Sequence, residues 1–154
     1  MLTAGNPAAL EGSFWIDLYA GTGAVGIEAL SRGAARVCFV ESSAAAVKAI
    51  YENLHSLQIT SGFEIIHADV LKALPRLDAG SPPSDYVFLD PPYCLQQAYA
   101  DTLDLLAKSP LLKRTSIVMA EHQKKFDLED RFDSLMRYRM LGRGDAALSF
   151  YRPA

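Results

Sequence analysis

Cysteine is scarce in this sequence, with only Cys38 and Cys94 among 154 residues. Two cysteines cannot build a disulfide framework, and neither has metal-ligand spacing with His55, His67 or His122. The sequence also lacks an apolar run of about eighteen residues, the length that a membrane-spanning helix needs. Its first thirteen residues contain no Lys or Arg, so they do not form the basic start of a signal peptide. We therefore expect a soluble, cytoplasmic, metal-free monomer.

Positive charge is not in excess either, since 15 Lys and Arg stand against 18 Asp and Glu, a net charge of −3. That balance alone argues against strong binding to nucleic acid. The charge is uneven, because residues 1–93 carry 5 basic and 10 acidic side chains, whereas residues 94–154 carry 10 and 8. Arg137, Arg139 and Arg143 belong to this second part, and the first two are predicted to share one face of a strand.

What the sequence does contain is enough apolar material for one core, since half of its residues are hydrophobic. The length argues for a single domain, which we place at residues 14–154 after a short N-terminal stretch, residues 1–13. Short apolar runs alternate with helical patterns, which is typical of an α/β fold with a mostly parallel sheet.

The pattern predicts a Rossmann-like sheet of seven strands, with helices on both faces and an antiparallel C-terminal hairpin. The parallel strands are predicted at 14–19, 36–40, 63–67, 85–89 and 116–120. The helices are predicted at 24–32, from Ser42 or Ser43 to about 57, at 70–77 and at 96–107. The hairpin strands are predicted at 135–141 and 146–151. In such sheets the ligand binds beyond the carboxyl ends of the strands.

A glycine-rich turn follows the first predicted strand. Residues 21–26 match G-x-G-x-x-G at the start of a helix, where glycines allow a tight turn and bring a ligand close to backbone amides. Ala20, Gly21 and Gly23 are therefore candidate cofactor-binding residues. Glu41, twenty residues after Gly21, is placed to accept hydrogen bonds from ribose hydroxyls. The arrangement indicates a nucleoside-containing cofactor, and it leaves open NAD, S-adenosylmethionine and a plain strand–turn–helix corner.

Two aspartates bear on that choice. Asp17 lies four residues before Gly21, where a carboxylate would repel a pyrophosphate and attract an ammonium or a sulfonium. It therefore favours S-adenosylmethionine, and it can also bond the amides of the loop. Asp69 follows the third predicted strand, where it can accept a hydrogen bond from an adenine amino group or cap the next helix.

The sequence Asp90-Pro91-Pro92-Tyr93 follows the fourth predicted strand and is the most specific motif of the chain. An amine on a heteroaromatic ring is a poor nucleophile, because its lone pair is delocalised into the ring. The Asp90 carboxylate and the Pro91 carbonyl can accept its two N–H groups and so free that lone pair. Pro91 and Pro92 fix the backbone, and Tyr93 offers a ring on which a base can stack. A simple Pro-Pro strand terminator is the alternative.

These residues resemble the bacterial small-subunit (16S) ribosomal RNA guanine-N2 methyltransferases. The resemblance rests on residues 16–34, which read IDLYAGTGAVGIEALSRGA, and on Asp90-Pro91-Pro92-Tyr93. The run EALSRGA at 28–34 matters most, because generic methyltransferases lack it. Asn53-Leu54 and residues 144–151 also look like this family.

The resemblance implies a class I methyltransferase fold, S-adenosylmethionine as methyl donor, and methylation of the exocyclic amine of one guanine. Its expected partner is 16S ribosomal RNA or a small-subunit assembly intermediate. The implied cofactor-binding residues are Asp17, Ala20, Gly21, Gly23, Glu41, Asp69 and Asp90. The implied catalytic residues, which hold the target base, are Asp90, Pro91, Pro92 and Tyr93.

The chain departs from this family at its start, where the family carries a basic stretch ahead of the first strand. We therefore expect a truncated or shortened chain that binds RNA weakly. Three other functions stay open: adenine-N6 methylation of DNA, a cofactor-binding fragment without turnover, and a nicotinamide dehydrogenase. Asp17 and the lack of a placed His or Lys proton donor disfavour the dehydrogenase.

Overall fold

The computed structural model of the chain describes residues 8–154, so part of the short N-terminal stretch, residues 1–7, lies outside the described residues. The described residues form eight strands and four helices in one domain. In chain order these are β1 (Phe14–Leu18), α1 (Ala24–Ser31), β2 (Arg36–Glu41), α2 (Ala44–Ser56), β3 (Phe63–His67), α3 (Val70–Gly80), β4 (Ser84–Leu89), α4 (Gln97–Ala107), β5 (Leu112–Gln123), β6 (Arg131–Phe132), β7 (Leu135–Arg143) and β8 (Ala146–Pro153).

All eight strands belong to one sheet, in the order β3-β2-β1-β4-β5-β8-β7-β6. Strands β1 to β5 are parallel, and β8 pairs antiparallel with β5 and with β7. The chain changes direction across the sheet between β1 and β4, so the carboxyl ends of these two strands form the topological switch point. The predicted α/β architecture, with its antiparallel C-terminal hairpin, is confirmed.

The predicted count of seven strands is wrong by one. The additional strand, β6, consists of Arg131 and Phe132, which pair with Met136 and Leu135 of β7. Two residues cannot show an alternating pattern of apolar and polar side chains, so periodicity gave no sign of this edge strand.

Helices cover both faces of the sheet and bury one core on each. On the first face, α1 and α2 pack against a cluster that includes Trp15, Phe39 and Phe88. On the second face, α3 and α4 pack against a cluster that includes Ile16 and Leu89. Residues 15 and 16 therefore point to opposite faces, as the two-residue period of a strand requires.

Helix α3 and strand β5 exceed their predicted lengths most. Helix α3 continues through Pro75 to Gly80, because its buried face, which includes Leu74 and Leu77, keeps the segment on the sheet. Strand β5 extends past Ala120 to Gln123, because β8 supplies hydrogen-bonding partners there. Tertiary contacts determine where both elements end, and no local sequence signal marks those positions.

No helix within residues 8–154 is long and apolar enough to cross a bilayer. The same residues contain no group of three or more His, Cys, Asp or Glu side chains arranged to hold a metal ion.

Candidate active site

The carboxyl ends of β1, β2 and β4 surround one open cavity of about 580 Å³. Its size is within the range of small-molecule sites in proteins. Nine of the ten candidate site residues, all except Gly23, line this cavity. The lining residues are Asp17, Tyr19, Ala20, Gly21, Thr22, Ala24, Val25, Glu41, Ser42, Asp69, Phe88, Asp90, Pro91, Pro92, Tyr93 and Leu95.

The glycine turn between β1 and α1 forms one wall of this cavity. Gly21 has a φ of 59° and Gly23 a φ of 83°. Residues other than glycine rarely adopt this backbone region. Gly23 is the N-cap of α1 and is buried against Phe39 and Ile50, outside the cavity lining. The Asn53 side-chain amide donates to the Thr22 carbonyl oxygen over 3.0 Å and so holds the turn from α2.

Glu41, at the end of β2, is held in place by two backbone amides. Its Oε1 accepts a hydrogen bond from the Gly21 amide, and its Oε2 accepts one from the Ser43 amide, both over 2.8 Å. Each carboxylate oxygen keeps a further lone pair, because an ionised carboxyl has about four acceptor sites. The side chain is therefore oriented before any ligand arrives and can still accept from a pair of hydroxyls.

Asp17, on β1, is almost completely buried, with 1% of its surface exposed. Its Oδ2 accepts a hydrogen bond from the Gly26 amide over 3.0 Å, so its amide partner lies in the first turn of α1 and not in the loop that the sequence predicts. Burial raises the pKa of Asp17 to about 8, and the nearby Asp90 and Glu41 add to this, while the Gly26 amide lowers it. A cation in the cavity would reverse that shift, because it stabilises the charged carboxylate.

Asp69 and Tyr19 close the opposite side of the cavity. Asp69 is the N-cap of α3, since its Oδ1 accepts from the Leu71 amide over 2.9 Å, and it also lines the cavity. Tyr19 has a positive φ of 58°, and its hydroxyl is hydrogen-bonded to the Thr102 hydroxyl of α4 over 2.8 Å. The chain therefore turns sharply at the end of β1 before it enters the glycine turn.

Asp90-Pro91-Pro92-Tyr93 leads away from β4 along the rim of the cavity. Burial raises the pKa of Asp90 to about 7, and the nearby Glu121 carboxyl adds to the shift. Tyr93 is 47% exposed and lines the cavity, so its side chain is accessible to a ligand. The structure thus places an acceptor carboxyl, two prolines and an accessible aromatic ring beside the glycine turn.

Sequence reasoning missed several residues of this site, of which Glu121 and Tyr19 matter most. Glu121 directly follows the strand predicted at 116–120, and the rule that ligands bind beyond strand ends could have found it. Tyr19 was assigned to the first strand, because no local signal distinguishes a strand residue from a left-handed turn residue here.

The hairpin arginines do not form the shared face that the sequence predicts. Arg137 pairs with Asp130 and donates to the Ser149 hydroxyl over 3.1 Å, whereas the Arg139 guanidinium lies over the Phe150 ring. The register between β7 and β8 shifts between Arg137 and Arg139. The resulting bulge sends the two side chains to opposite faces of the sheet.

Comparison with known proteins gives a family for the chain. A family model described as "Conserved hypothetical protein 95" matches residues 3–152. "Putative rRNA methyltransferase YlbH" of Bacillus subtilis (strain 168) is 30% identical over 142 residues, which are 92% of this chain and 77% of that protein. "Ribosomal RNA small subunit methyltransferase D" of Haemophilus influenzae is 34% identical over 110 residues, which are 71% of this chain and 56% of that protein.

Solved structures show the same fold. A conserved hypothetical protein of Streptococcus pyogenes superimposes with a TM-score of 0.83 at 28% identity, covering 94% of this chain and 88% of that one. The match to the small subunit methyltransferase D relatives is less complete, because the chain spans only 52–59% of their length. The resemblance found in residues 16–34 and 90–93 is nevertheless confirmed. The chain belongs to the "Conserved hypothetical protein 95" family and is a class I methyltransferase domain related to the small-subunit ribosomal RNA methyltransferases.

Proposed function

We propose that this domain transfers a methyl group from S-adenosylmethionine to the exocyclic N2 amine of a guanine in 16S ribosomal RNA. The observation that carries the proposal is that Asp90-Pro91-Pro92-Tyr93 and the Gly21 turn line the same cavity. A methyl donor bound at the turn and an amine held by Asp90 would therefore lie next to each other. The relatives that are named ribosomal RNA methyltransferases support the RNA substrate.

The residues of the cavity fit S-adenosylmethionine. Glu41, fixed by two amides, would accept from the ribose hydroxyls. Asp17 would face the cationic methionine part, which offsets the cost of its buried charge. Asp69 would accept from the adenine amino group, and Ala20 and Gly21 would contact the ligand through their backbone. Bound S-adenosylmethionine supplies an electrophilic methyl group on a sulfonium.

Asp90 and Pro91 would act on the target amine. Their carboxylate and carbonyl oxygens would each accept one N–H of guanine N2, so that the lone pair of N2 points at the methyl carbon. With S-adenosylmethionine bound, the N–C bond would form as its C–S bond broke, and the sulfur would keep the bonding electron pair. The proton that N2 loses passes to the Asp90 carboxylate, which can hold it near neutral pH because its pKa is raised to about 7.

The substrate is proposed to be 16S ribosomal RNA, free or in a small-subunit assembly intermediate, with a monomeric domain acting in the cytoplasm. Adenine-N6 methylation of DNA is the second candidate, because adenine carries an exocyclic amine that the same two acceptors could hold.

Transfer of a labelled methyl group from S-adenosylmethionine tests the proposal. Small-subunit ribosomal RNA transcribed without modifications should take up label, and duplex or single-stranded DNA of matched length should not. Calorimetry should show binding of S-adenosylmethionine or S-adenosylhomocysteine and none of NAD. Labelling of DNA alone, or binding of NAD alone, would contradict the proposal.

A further inference from the structure

Asp90 directly follows the end of β4, and Glu121 lies beside it within β5. In the parallel register of these strands, Phe88 is opposite Met119 and Leu89 is opposite Ala120. Asp90 follows Leu89 and Glu121 follows Ala120, so the same register places Asp90 opposite Glu121. Since side chains alternate between the faces of a sheet, both carboxyls lie on the face of Phe88 and Met119.

A second cavity, of about 370 Å³, opens on that face and meets the first one. Val25 and Phe88 line both cavities, while Glu121 lines the second and Asp90 the first. The carboxyl pair therefore lies at the junction of the two cavities. A base whose amine reaches Asp90 would place its neighbouring ring atoms near Glu121.

One residue that lines the second cavity, Trp15, has a buried hydrogen-bond donor without a partner among the described residues. Trp15 is 5% exposed, and the donor is its Nε1. Buried donors in proteins are normally paired.

The Glu121 carboxyl lies close enough to Asp90 to raise the pKa of the Asp90 carboxyl. Carboxylates this close cannot both ionise cheaply, because like charges repel in a buried site. A ligand with two adjacent N–H donors could satisfy both carboxylates at once. Guanine has such an edge, since N1–H stands beside the N2 amine, whereas adenine presents a bare N1 acceptor beside its amine.

We propose that Glu121 is a specificity-determining residue that accepts the N1–H of the target guanine while Asp90 and Pro91 accept from its N2 amine. The inference deepens the proposed function and rests on it for the identity of the base. Adenine would place its N1 lone pair against the Glu121 carboxylate, and the buried acceptor would then lose its partner. Sites that hydrogen-bond a substrate group reject analogues that lack it.

The side chain of Glu121 can be changed without removing its backbone contacts. Its carbonyl oxygen accepts a hydrogen bond from the Tyr99 hydroxyl over 2.7 Å, and its backbone pairs with Leu148 of β8. Glu121→Gln keeps the size of the side chain and gives it one donor and one acceptor. It can therefore accept from guanine N1–H or donate to a bare N1.

Binding of two nucleotides to protein saturated with S-adenosylhomocysteine tests the inference. Guanosine monophosphate and 2-aminopurine riboside monophosphate share the 2-amino group, but only guanosine has N1–H. We expect the wild-type chain to prefer guanosine monophosphate by roughly tenfold or more, and Glu121→Gln to shrink that preference several-fold. Glu121→Ala should weaken guanosine binding without improving that of the analogue. Glu52→Gln is the matched control, since Glu52 lies on the surface of α2, where it pairs with Lys48.

Equal binding of the two nucleotides by the wild-type chain, or binding of neither at millimolar concentration, would overturn the inference. So would a preference that survives Glu121→Gln unchanged in folded protein. The outcome is separable from that of the proposed function, because no methyl transfer is involved. If guanine is methylated but the binding preference is absent, only the role of Glu121 in recognition is contradicted. If the preference is present but guanine is not methylated, the proposed reaction is contradicted.

Discussion

The raised pKa of Asp17 should make the affinity for S-adenosylmethionine depend on pH. Because burial raises its pKa to about 8, most of the free protein carries a proton on this carboxyl at neutral pH. A cationic methionine group favours the ionised form, so binding of S-adenosylmethionine should release a proton from Asp17. We expect affinity to rise with pH and to level off above about pH 8, where the carboxyl is already ionised.

Calorimetry in two buffers of different ionisation enthalpy measures that proton release directly. Asp17→Asn, which keeps an oxygen for the Gly26 amide, should bind more weakly and lose this part of the proton release. Affinity that rises as the pH falls would contradict the placement of Asp17 beside the cationic part of the ligand.

A substitution of Asp90 should affect methyl transfer much more than cofactor binding. In the proposed reaction an oxygen of Asp90 accepts a hydrogen bond from the target amine, and this interaction would be strongest in the transition state. Asp90→Ala should lower turnover about a hundredfold or more, with S-adenosylmethionine affinity little changed. Single-turnover methyl transfer and calorimetry on the same preparation check both parts. Turnover equal to wild type would remove Asp90 from the mechanism.

At the scale of elements, α1 depends on a glycine that faces the sheet. A Cβ added to Gly26 would lie 2.4 Å from the Phe39 ring and 2.9 Å from Val37. Alanine favours helices over glycine by about 1 kcal/mol, but overpacking a core typically costs roughly 1–3 kcal/mol. We therefore expect Gly26→Ala to lower the free energy of unfolding and, through the Asp17 contact, to weaken cofactor binding.

Urea unfolding measures the effect, with Gly80→Ala as the matched control. Gly80 ends α3, and a Cβ there would meet nothing within 4 Å, so this variant should be as stable as wild type or slightly more stable. A Gly26→Ala protein that is more stable than wild type would show that α1 can move away from β2.

The helices and strands also differ in how well the sequence predicts them. The five parallel strands and four helices were predictable, because each buried face repeats with its own period, as Ile50 and Leu54 do in α2. Asp17, Glu41 and Asp90 were predictable as neighbours, because parallel strands end at one edge of a sheet. The Asp90–Glu121 pair was not, since it depends on the register of β4 against β5. The bulge that separates Arg137 from Arg139 depends in the same way on pairing with β8.

At the scale of the whole molecule, charge limits RNA binding. Residues 1–93, which hold the candidate site, carry 5 basic and 10 acidic side chains, and RNA affinity comes largely from neutralised phosphates. We expect this chain to bind 16S ribosomal RNA weakly and with a shallow salt dependence. Fusion of a basic N-terminal segment should raise affinity and steepen the log–log slope by roughly 0.7–0.9 per phosphate contact.

Titration of RNA against both forms across a salt series checks this expectation, with a neutral segment of equal length as the control. Equal affinities and slopes for the basic and neutral fusions would mean that the domain binds RNA through its own surface.

The chemical identity of the methylated nucleoside tests the account most directly. Unmodified 16S ribosomal RNA is incubated with the protein and S-adenosylmethionine, digested to nucleosides and resolved by mass spectrometry against standards. We expect N2-methylguanosine as the product, in strongly reduced amount with Asp90→Ala. N6-methyladenosine, or a methyl group on another atom of guanine, would contradict it.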